Sequence, residues 1–209
     1  MTLISRPITY LITSGETTAE TKDFSNILNL ISAAVAAGIS LVQLREKQLT
    51  GRQMFDLAIE GIRLTRGSST RLLINDRADI ARAVGADGVH LTRQSLSAAT
   101  VRKTFGQNFI VGVSTHSLPE AHSARDDGAD FAVFGPVFEP ISKQGYGNAQ
   151  GTVELARLAQ ELAPFPIVAL GGVTLQNAHE CLRSGAAGVA GINLFKDADA
   201  VLAVGRLVA

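Results

Sequence analysis

Three polar side chains at alternate positions, Gln43, Arg45 and Lys47, close a short apolar run, and packing alone does not explain them. At the period of a strand, Val42 and Leu44 share one face while Gln43, Arg45 and Lys47 share the other. Helix-like apolar runs at residues 27–37 and 54–64 flank the segment. That arrangement suggests a parallel strand covered by helices, and such strands are normally apolar on both faces. A polar, cationic face on a covered strand points toward an anionic ligand. The alternative is an edge strand whose polar face meets solvent.

Comparable residues end later apolar runs: Asn75 with Asp76, then His90, then Ser114 with His116. Residues 136–151 are long for a βα loop and carry Gly145, Gly147 and Gly151 around Lys143, as a lid or ligand clamp would; simple disorder is the other reading. Gly171-Gly172 and Gly191-Ile192-Asn193 follow the last two apolar runs, where backbone N–H groups can meet a phosphate with no side chain in the way. A phosphate seat (Gly171, Gly172, Asn193) and a separate cationic cluster (Arg45, Lys47, Lys143) imply one bisphosphorylated ligand or two phosphorylated ligands. Asp76 beside Asn75 could place Mg²⁺ on a pyrophosphate, because that ion takes one or two protein carboxylates plus phosphate oxygens. Its other reading is the N-cap of the next helix. His90 reads as a satisfied barrel histidine and stays outside the catalytic set.

The elements that must position these residues follow from periodicity. Strand-like runs fall at Ile8–Ile12, in the segment of Gln43 and Arg45, and at residues 72–74, Gly88–Leu91, 110–113, Phe131–Phe134, 167–170 and 188–192. Helical spacing covers residues 24–37, 53–66, 80–84, 119–127, 175–184 and about 198–208. A Gly-Ala turn recurs at Gly85, Gly128 and Gly185, each ending a helix with a left-handed C-cap before the next strand. About eight βα units in uninterrupted series predict a (β/α)8 TIM barrel, with residues 1–209 as a single domain. A doubly wound open sheet is the runner-up, and no Gly-x-Gly-x-x-Gly follows the first strand to support it. In a barrel the site lies at the C-terminal strand ends, where the polar residues above collect.

Composition narrows the partners. The 209 residues are 46% hydrophobic and 18% charged with a net charge of +0, so no basic footprint marks a nucleic-acid or membrane-surface binder, and any anion site is local. No apolar stretch approaches about twenty residues. The sole cysteine, Cys181, reads as a small buried hydrophobe; with no internal disulfide to form, a cytoplasmic setting is expected.

The ordered set Gln43-x-Arg45-Glu46-Lys47, Asn75-Asp76-Arg77, Gly88-Val89-His90-Leu91, Gly112-Val113-Ser114-x-His116, Phe134-Gly135-Pro136-Val137-Phe138, Lys143 and Gly171-Gly172 resembles the thiamine phosphate synthase family and its thiazole tautomerase-like branch over nearly the whole chain. The resemblance implies a (β/α)8 barrel that joins hydroxymethylpyrimidine diphosphate to thiazole phosphate, releasing pyrophosphate with the help of Mg²⁺ through a cation on the pyrimidine methylene carbon. By position it implies Gln43, Arg45, Lys47, Asn75, Ser142 and Lys143 around the substrates' charged groups, Asp76 as metal ligand, and Ser114 beside the pyrophosphate and pyrimidine. Gly171, Gly172, Ile192 and Asn193 would seat the thiazole phosphate. Arg45, Lys47, Lys143, Ser114 and His116 make up the implied catalytic set, and a homodimer is the implied assembly.

Departures from the pattern keep two further activities open. Ser95 stands where the synthase pattern has a second metal-binding Asp, the loop reads Glu139-Pro140-Ile141-Ser142-Lys143 in place of Pro-Thr-x-Thr-Lys, and Asn193 stands where serine is common. Phe138-Glu139 and Ser95 favour a tautomerase in which His116 moves a proton on carboxythiazole phosphate. A non-catalytic protein that binds a phosphorylated thiazole or thiamine compound is the third reading.

Overall fold

The computed structural model describes residues 7–18, 20, 24–139 and 148–208. Eight parallel strands close in sequence order, β1 (Ile8–Ile12), β2 (Leu41–Leu44), β3 (Arg71–Asn75), β4 (Gly88–Leu91), β5 (Ile110–Thr115), β6 (Phe131–Phe134), β7 (Ile167–Ala169) and β8 (Gly188–Gly191), with β8 pairing back to β1. A closed sheet has no edge, which removes the solvated-edge explanation of Gln43. The strands are buried on both faces, so they read as nearly continuous Val/Ile/Leu/Ala runs. The open-sheet alternative is thereby set aside.

Eight helices follow the strands: α1 (Ser25–Ala36), α2 (Gly51–Thr65), α3 (Ala78–Val84), α4 (Ala98–Phe105), α5 (Leu118–Asp126), α6 (Gly151–Glu161), α7 (Ala178–Arg183) and α8 (Ala198–Val208). Periodicity did not delimit α4 and α6. Leu155 and Leu158 are the buried anchors of α6, and Ala98 and Val101 those of the two-turn α4, a short apolar stripe. The predicted helix at 175–184 starts later, at Ala178, because Thr174 and Asn177 form a reciprocal side-chain turn: Thr174 N–H donates to Asn177 Oδ1 at 2.7 Å and Asn177 N–H to Thr174 Oγ1 at 3.4 Å. Such turns compete with helix over the same backbone groups. Helix α2 begins two residues earlier than its periodicity suggests, since Thr50 and Gln53 close a capping box around it.

The Gly-Ala turns behave as expected: Gly85, Gly128 and Gly185 have φ of 73, 84 and 88°. The aspartates that follow the first two do more than mark a turn. Asp87 Oδ2 accepts Leu72 N–H at 2.8 Å and Asp130 Oδ2 accepts Val111 N–H at 2.7 Å, so each carboxylate holds the start of the preceding strand. Arg102, almost fully buried, adds an ion pair to Asp130 at 2.7 Å and donates to the Gly106, Phe109 and Gly128 carbonyls. These contacts lie at the N-terminal ends of the strands, where conserving structure rather than chemistry is the usual task.

Two cores result. Between sheet and helices lies the larger one, which includes Cys181. Inside the barrel, Ile8, Tyr10, Ile12, Leu41, Leu73, Ile110, Phe131, Val133, Val168 and Ala190 fill the lumen. Above that apolar plug the inward positions turn polar, which places Gln43, His90 and Ser114 at the floor of the barrel mouth. Among the described residues, no helix is long and apolar enough to cross a membrane.

Candidate active site

Register decides which strand-end residues meet. Gln43 pairs with Leu73 on one side and Ile12 on the other. Its side chain is 1% exposed and its Nε2 donates to the Tyr10 hydroxyl at 2.8 Å. Burial pushes the Tyr10 phenol well above its ordinary range, with the Gln43 hydrogen bond opposing, so the hydroxyl stays neutral and serves as an anchor. Strand β2 ends at Leu44, and Arg45 and Lys47 lie on the loop beyond it. The half-buried Arg45 is held by its own N–H on Thr13 Oγ1 at 2.9 Å and by a 3.4 Å contact from Nη1 to the Ser14 carbonyl. Lys47 is exposed and has no ion pair among the described residues.

Glu46, to which the sequence pattern assigned no role, proves to be the brace of this corner. At 2% exposure it accepts Gly15 N–H on Oε1 at 3.3 Å and Thr17 N–H on Oε2 at 3.1 Å. Gly15 has φ +80°, and a Cβ there would lie 2.9 Å from the Arg45 carbonyl. The β1–α1 loop is thus pulled against the Arg45 backbone. A charged residue inside a motif of ligand-binding cations was the available signal: a lone acid there either neutralises the site or braces it.

At the end of β3, Asp76 is the only non-glycine residue with positive φ among the described residues, at 65°. Asp tolerates this left-handed geometry better than most residues, and such outliers gather where function demands them. Its N–H donates to the His90 carbonyl at 2.8 Å, which locks the bend. The N-cap position of α3 belongs to Arg77 and has no side-chain cap, so the alternative role of Asp76 as an N-cap is not what the fold uses. Arg77 turns instead to Asp79, whose carboxyl it holds below the usual carboxylate range. Among the described residues, the side chains of Asn75 and Asp76 make no hydrogen bond or close ion pair, and the Asp76 charge acts on the neighbouring Arg77 guanidinium.

That donor set suits a divalent ion in one way only. Among the described residues no group of three or more His, Cys, Asp or Glu stands together. Ser95 is committed elsewhere, accepting Thr92 N–H on Oγ at 2.8 Å. One free carboxylate and one free amide match Mg²⁺ completed by phosphate oxygens, rather than a cage made by the protein.

On the next strand His90 pairs with Gly112 in the register of β4 and β5, which puts Ser114 one inward step above it. His90 Nε2 lies 2.8 Å from Ser114 Oγ. Contrary to the expectation of a satisfied histidine, His90 Nδ1 is buried with no hydrogen-bond partner. Burial, helped by the Arg45 charge, pushes its pKa down to about 3. A cleft of about 390 Å³ runs beside this corner between α4 and α5, lined by Thr92, Ser95, Val113, Glu120 and Asp127 as well as Ser114, and so lies on the helix side of β5 rather than in the barrel mouth. His116 is half-exposed just beyond the end of β5; its N–H donates to Glu120 Oε2 at 2.8 Å and its Nδ1 lies 3.3 Å from the same oxygen.

The seventh and eighth loops complete the rim. Gly171 and Gly172 have φ of 91 and 63°. Their lack of side chains serves packing as much as any ligand: a Cβ on Gly171 would lie 2.5 Å from Pro136 Cα, and one on Gly172 2.6 Å from the Glu139 carbonyl. Phe138 N–H donates to the Gly171 carbonyl at 3.0 Å and Asn177 Nδ2 to the Gly172 carbonyl at 3.0 Å, so both carbonyls are occupied and turned away. The partly buried Ile192 packs on the lumen cluster, and the exposed Asn193 opens a 3₁₀ turn, Asn193–Phe195. Ser142, Lys143, Gly145 and Gly147 lie outside the described residues.

Comparison with known proteins adds an independent line. The family model for thiamine monophosphate synthase matches residues 9–195. The thiamine-phosphate synthase of Chloroflexus aurantiacus is 40% identical over 177 residues, 85% of this chain and 81% of that protein. That of Chlorobium phaeobacteroides is 39% identical over 166 residues, 79% of this chain and 80% of that protein. Among solved structures, thiamine phosphate pyrophosphorylase from Pyrococcus furiosus superposes with a TM-score of 0.81 at 27% identity, over 96% of this chain and 94% of that one.

Proposed function

The chain belongs to the thiamine monophosphate synthase family, and on that premise we propose that its barrel mouth joins hydroxymethylpyrimidine diphosphate to thiazole phosphate, giving thiamine phosphate and pyrophosphate. The observation that carries the assignment of the site is the pair Asn75 and Asp76, held by a left-handed bend at the end of β3, beside the β2 end that leads into Arg45 and next to His90 on β4.

In this reading the pyrimidine lies over Gln43 and Ser114 on the polar floor, with its diphosphate toward Arg45, Lys47, Asn75 and Lys143. The C–O bond between the methylene carbon and the diphosphate breaks, and pyrophosphate leaves with the electron pair. Arg45, Lys47 and Lys143 stabilise the charge that develops on it, the kind of pre-set electrostatic help that commonly dominates such barriers. The thiazole ring nitrogen then donates its lone pair to the methylene cation, forming the new C–N bond and leaving the positive charge on the thiazolium ring. Gly171, Gly172, Ile192, Asn193 and Ser142 would hold the thiazole phosphate so that this nitrogen faces the carbon. Asp76 and Asn75 would hold Mg²⁺, which when bound neutralises phosphate charge as a Lewis acid. We assign no acid–base step to His116, because this coupling moves no proton.

We place the reaction in the cytoplasm, in keeping with a lone, buried, unpaired Cys181, and take a homodimer as the assembly, which the mass in solution checks. The test of function is pyrophosphate release from the two substrates with and without Mg²⁺, with thiamine phosphate identified by mass. Stoichiometric formation of both products is expected. Proton exchange on carboxythiazole phosphate without any pyrophosphate would instead assign the mouth to tautomerisation through His116.

A further inference from the structure

We infer that His90 is a positioning residue that fixes the direction of the Ser114 hydroxyl, donating its Nε2–H to Ser114 Oγ so that the serine proton is left to point at a hydrogen-bond acceptor of the substrate. This inference rests on the reading of the mouth as the pyrimidine diphosphate site.

The argument begins with what surrounds the ring. His90 is 3% exposed, its ring tilted against those of Tyr10 and Phe131 with centroids 5.7 and 6.3 Å away. On the neighbouring strand Gly112 supplies no side chain; a Cβ there would lie 2.9 Å from His90 Nδ1 and 2.4 Å from Phe131 Cζ. The Nδ1 side of the ring is therefore walled by carbon, and Nδ1 has no partner. Nε2 faces the other way and meets Ser114 Oγ at 2.8 Å.

A neutral imidazole carries one N–H, and two arrangements compete. With the proton on Nδ1, an N–H donor is buried against carbon with no acceptor. With the proton on Nε2, the orphan at Nδ1 is a lone pair, and buried unpaired acceptors are tolerated more readily than buried unpaired N–H donors. The second arrangement is the one this cavity selects. The doubly protonated form would bury both a charge and an orphan donor, and the nearby Arg45 charge opposes it as well.

Tautomer then determines polarity one step further out. Ser114 Oγ accepts from His90, so its own O–H is free for the mouth, because the half-buried serine shares the inward face of β5 with Gly112 and the lumen residues. Ser114 thereby becomes a donor toward the ligand. Its O–H can then donate to a pyrimidine ring nitrogen or a phosphate oxygen, while one lone pair of Oγ is already taken by His90. His90 touches no substrate in this arrangement and acts only through Ser114.

The test has a spectroscopic arm and a kinetic arm. With ¹⁵N-labelled histidine, the resonance lost in His90→Gln should belong to a neutral ring protonated at Nε2 and bare at Nδ1, unchanged from pH 5 to pH 8. This readout needs no substrate, so it stands apart from any failure of the functional reading. In turnover, His90→Leu and Ser114→Ala are each expected to lower kcat by about 10–100-fold, with the double variant no slower than Ser114→Ala alone. His90→Gln, whose amide N–H₂ can donate to Ser114, should recover most of the loss. A ring protonated at Nδ1, losses that multiply in the double variant, or a His90→Gln enzyme as slow as His90→Leu would each overturn the inference. Where His90→Leu fails to fold, the wild-type spectrum and the His90→Gln kinetics decide it.

Discussion

Glu46 and Gly15, 31 residues apart, meet at 3.3 Å where the Glu46 carboxylate accepts the Gly15 N–H, and through this contact the first loop of the barrel is tied to the backbone that carries Arg45. The same carboxylate accepts Thr17 N–H with its other oxygen. Glu46→Ala strands both N–H groups in a part-buried setting, so a loss of about 1–3 kcal/mol in urea-unfolding free energy is expected, together with faster proteolysis at residues 13–18 and a raised KM for the diphosphate substrate. Unchanged KM would separate the brace from the site.

Arg45→Ala removes a charge that the proposed mechanism aims at the leaving group. A fall in kcat of about 10²–10³-fold is expected, the usual size for losing one pre-set electrostatic contact. Lys143→Ala should behave alike. Arg45→Lys restores charge without the forked geometry and should recover only part of the loss. Single-turnover pyrophosphate release is the measurement, and turnover at the wild-type rate in Arg45→Ala would remove the cationic cluster from the mechanism.

Asp76 offers a clean separation of backbone from carboxylate. Asn also tolerates positive φ, so Asp76→Asn should keep its melting temperature while the Mg²⁺ needed for half-maximal rate rises about tenfold or more. Ser95→Asp should lower that Mg²⁺ requirement by adding a second carboxylate near the mouth. Isothermal titration with Mg²⁺ and pyrophosphate tracks both; no change of metal affinity in either variant would place the ion elsewhere.

Gly172 combines φ of 63° with a carbonyl 2.6 Å from where a Cβ would stand. Gly172→Ala is therefore expected to displace the Phe138–Glu139 segment, lower stability by roughly 1–3 kcal/mol and raise KM for thiazole phosphate more than for the diphosphate. Equal changes in both KM values would argue that the loop serves stability alone.

His90 gives the protein an acid-side slope. Its pKa falls from about 6.5 in the unfolded chain to about 3 in the barrel, so between these values the unfolded state binds a proton that the folded state refuses. Stability is complete above pH 6.5 and declines as pH falls toward 3, by at most about 1.4 kcal/mol per pH unit from this one group. Ser114, Tyr10 and Phe131 face the ring, and the Arg45 charge acts on it. Between pH 7 and pH 4.5, wild-type protein should lose roughly 2–3 kcal/mol more than His90→Gln in urea unfolding. Parallel curves would mean that the ring reaches solvent.

The residues themselves, in order, determined the barrel and the membership of its mouth. Alternation and helical spacing are local signals, and once eight βα units are counted, topology alone carries Gln43, Asn75, Asp76, His90 and Ser114 to one end. Two helices were the weaker part: α4 and α6, with two buried anchors each, were not delimited by their periodicity. Pairwise chemistry was beyond reach, because partners 24 to 33 residues apart depend on strand register and on which inward position lacks a side chain. The bond of His90 to Ser114 exists because Gly112 leaves the lumen open beside the ring, and Gln43 bends to Tyr10 because the lumen below it is filled. Likewise Glu46 looked like one more polar residue in a ligand motif and Ser95 like a vacant metal position; folding turned the first toward Gly15 and the second toward Thr92, since a buried N–H or carboxylate must find whatever partner the packed chain brings near it.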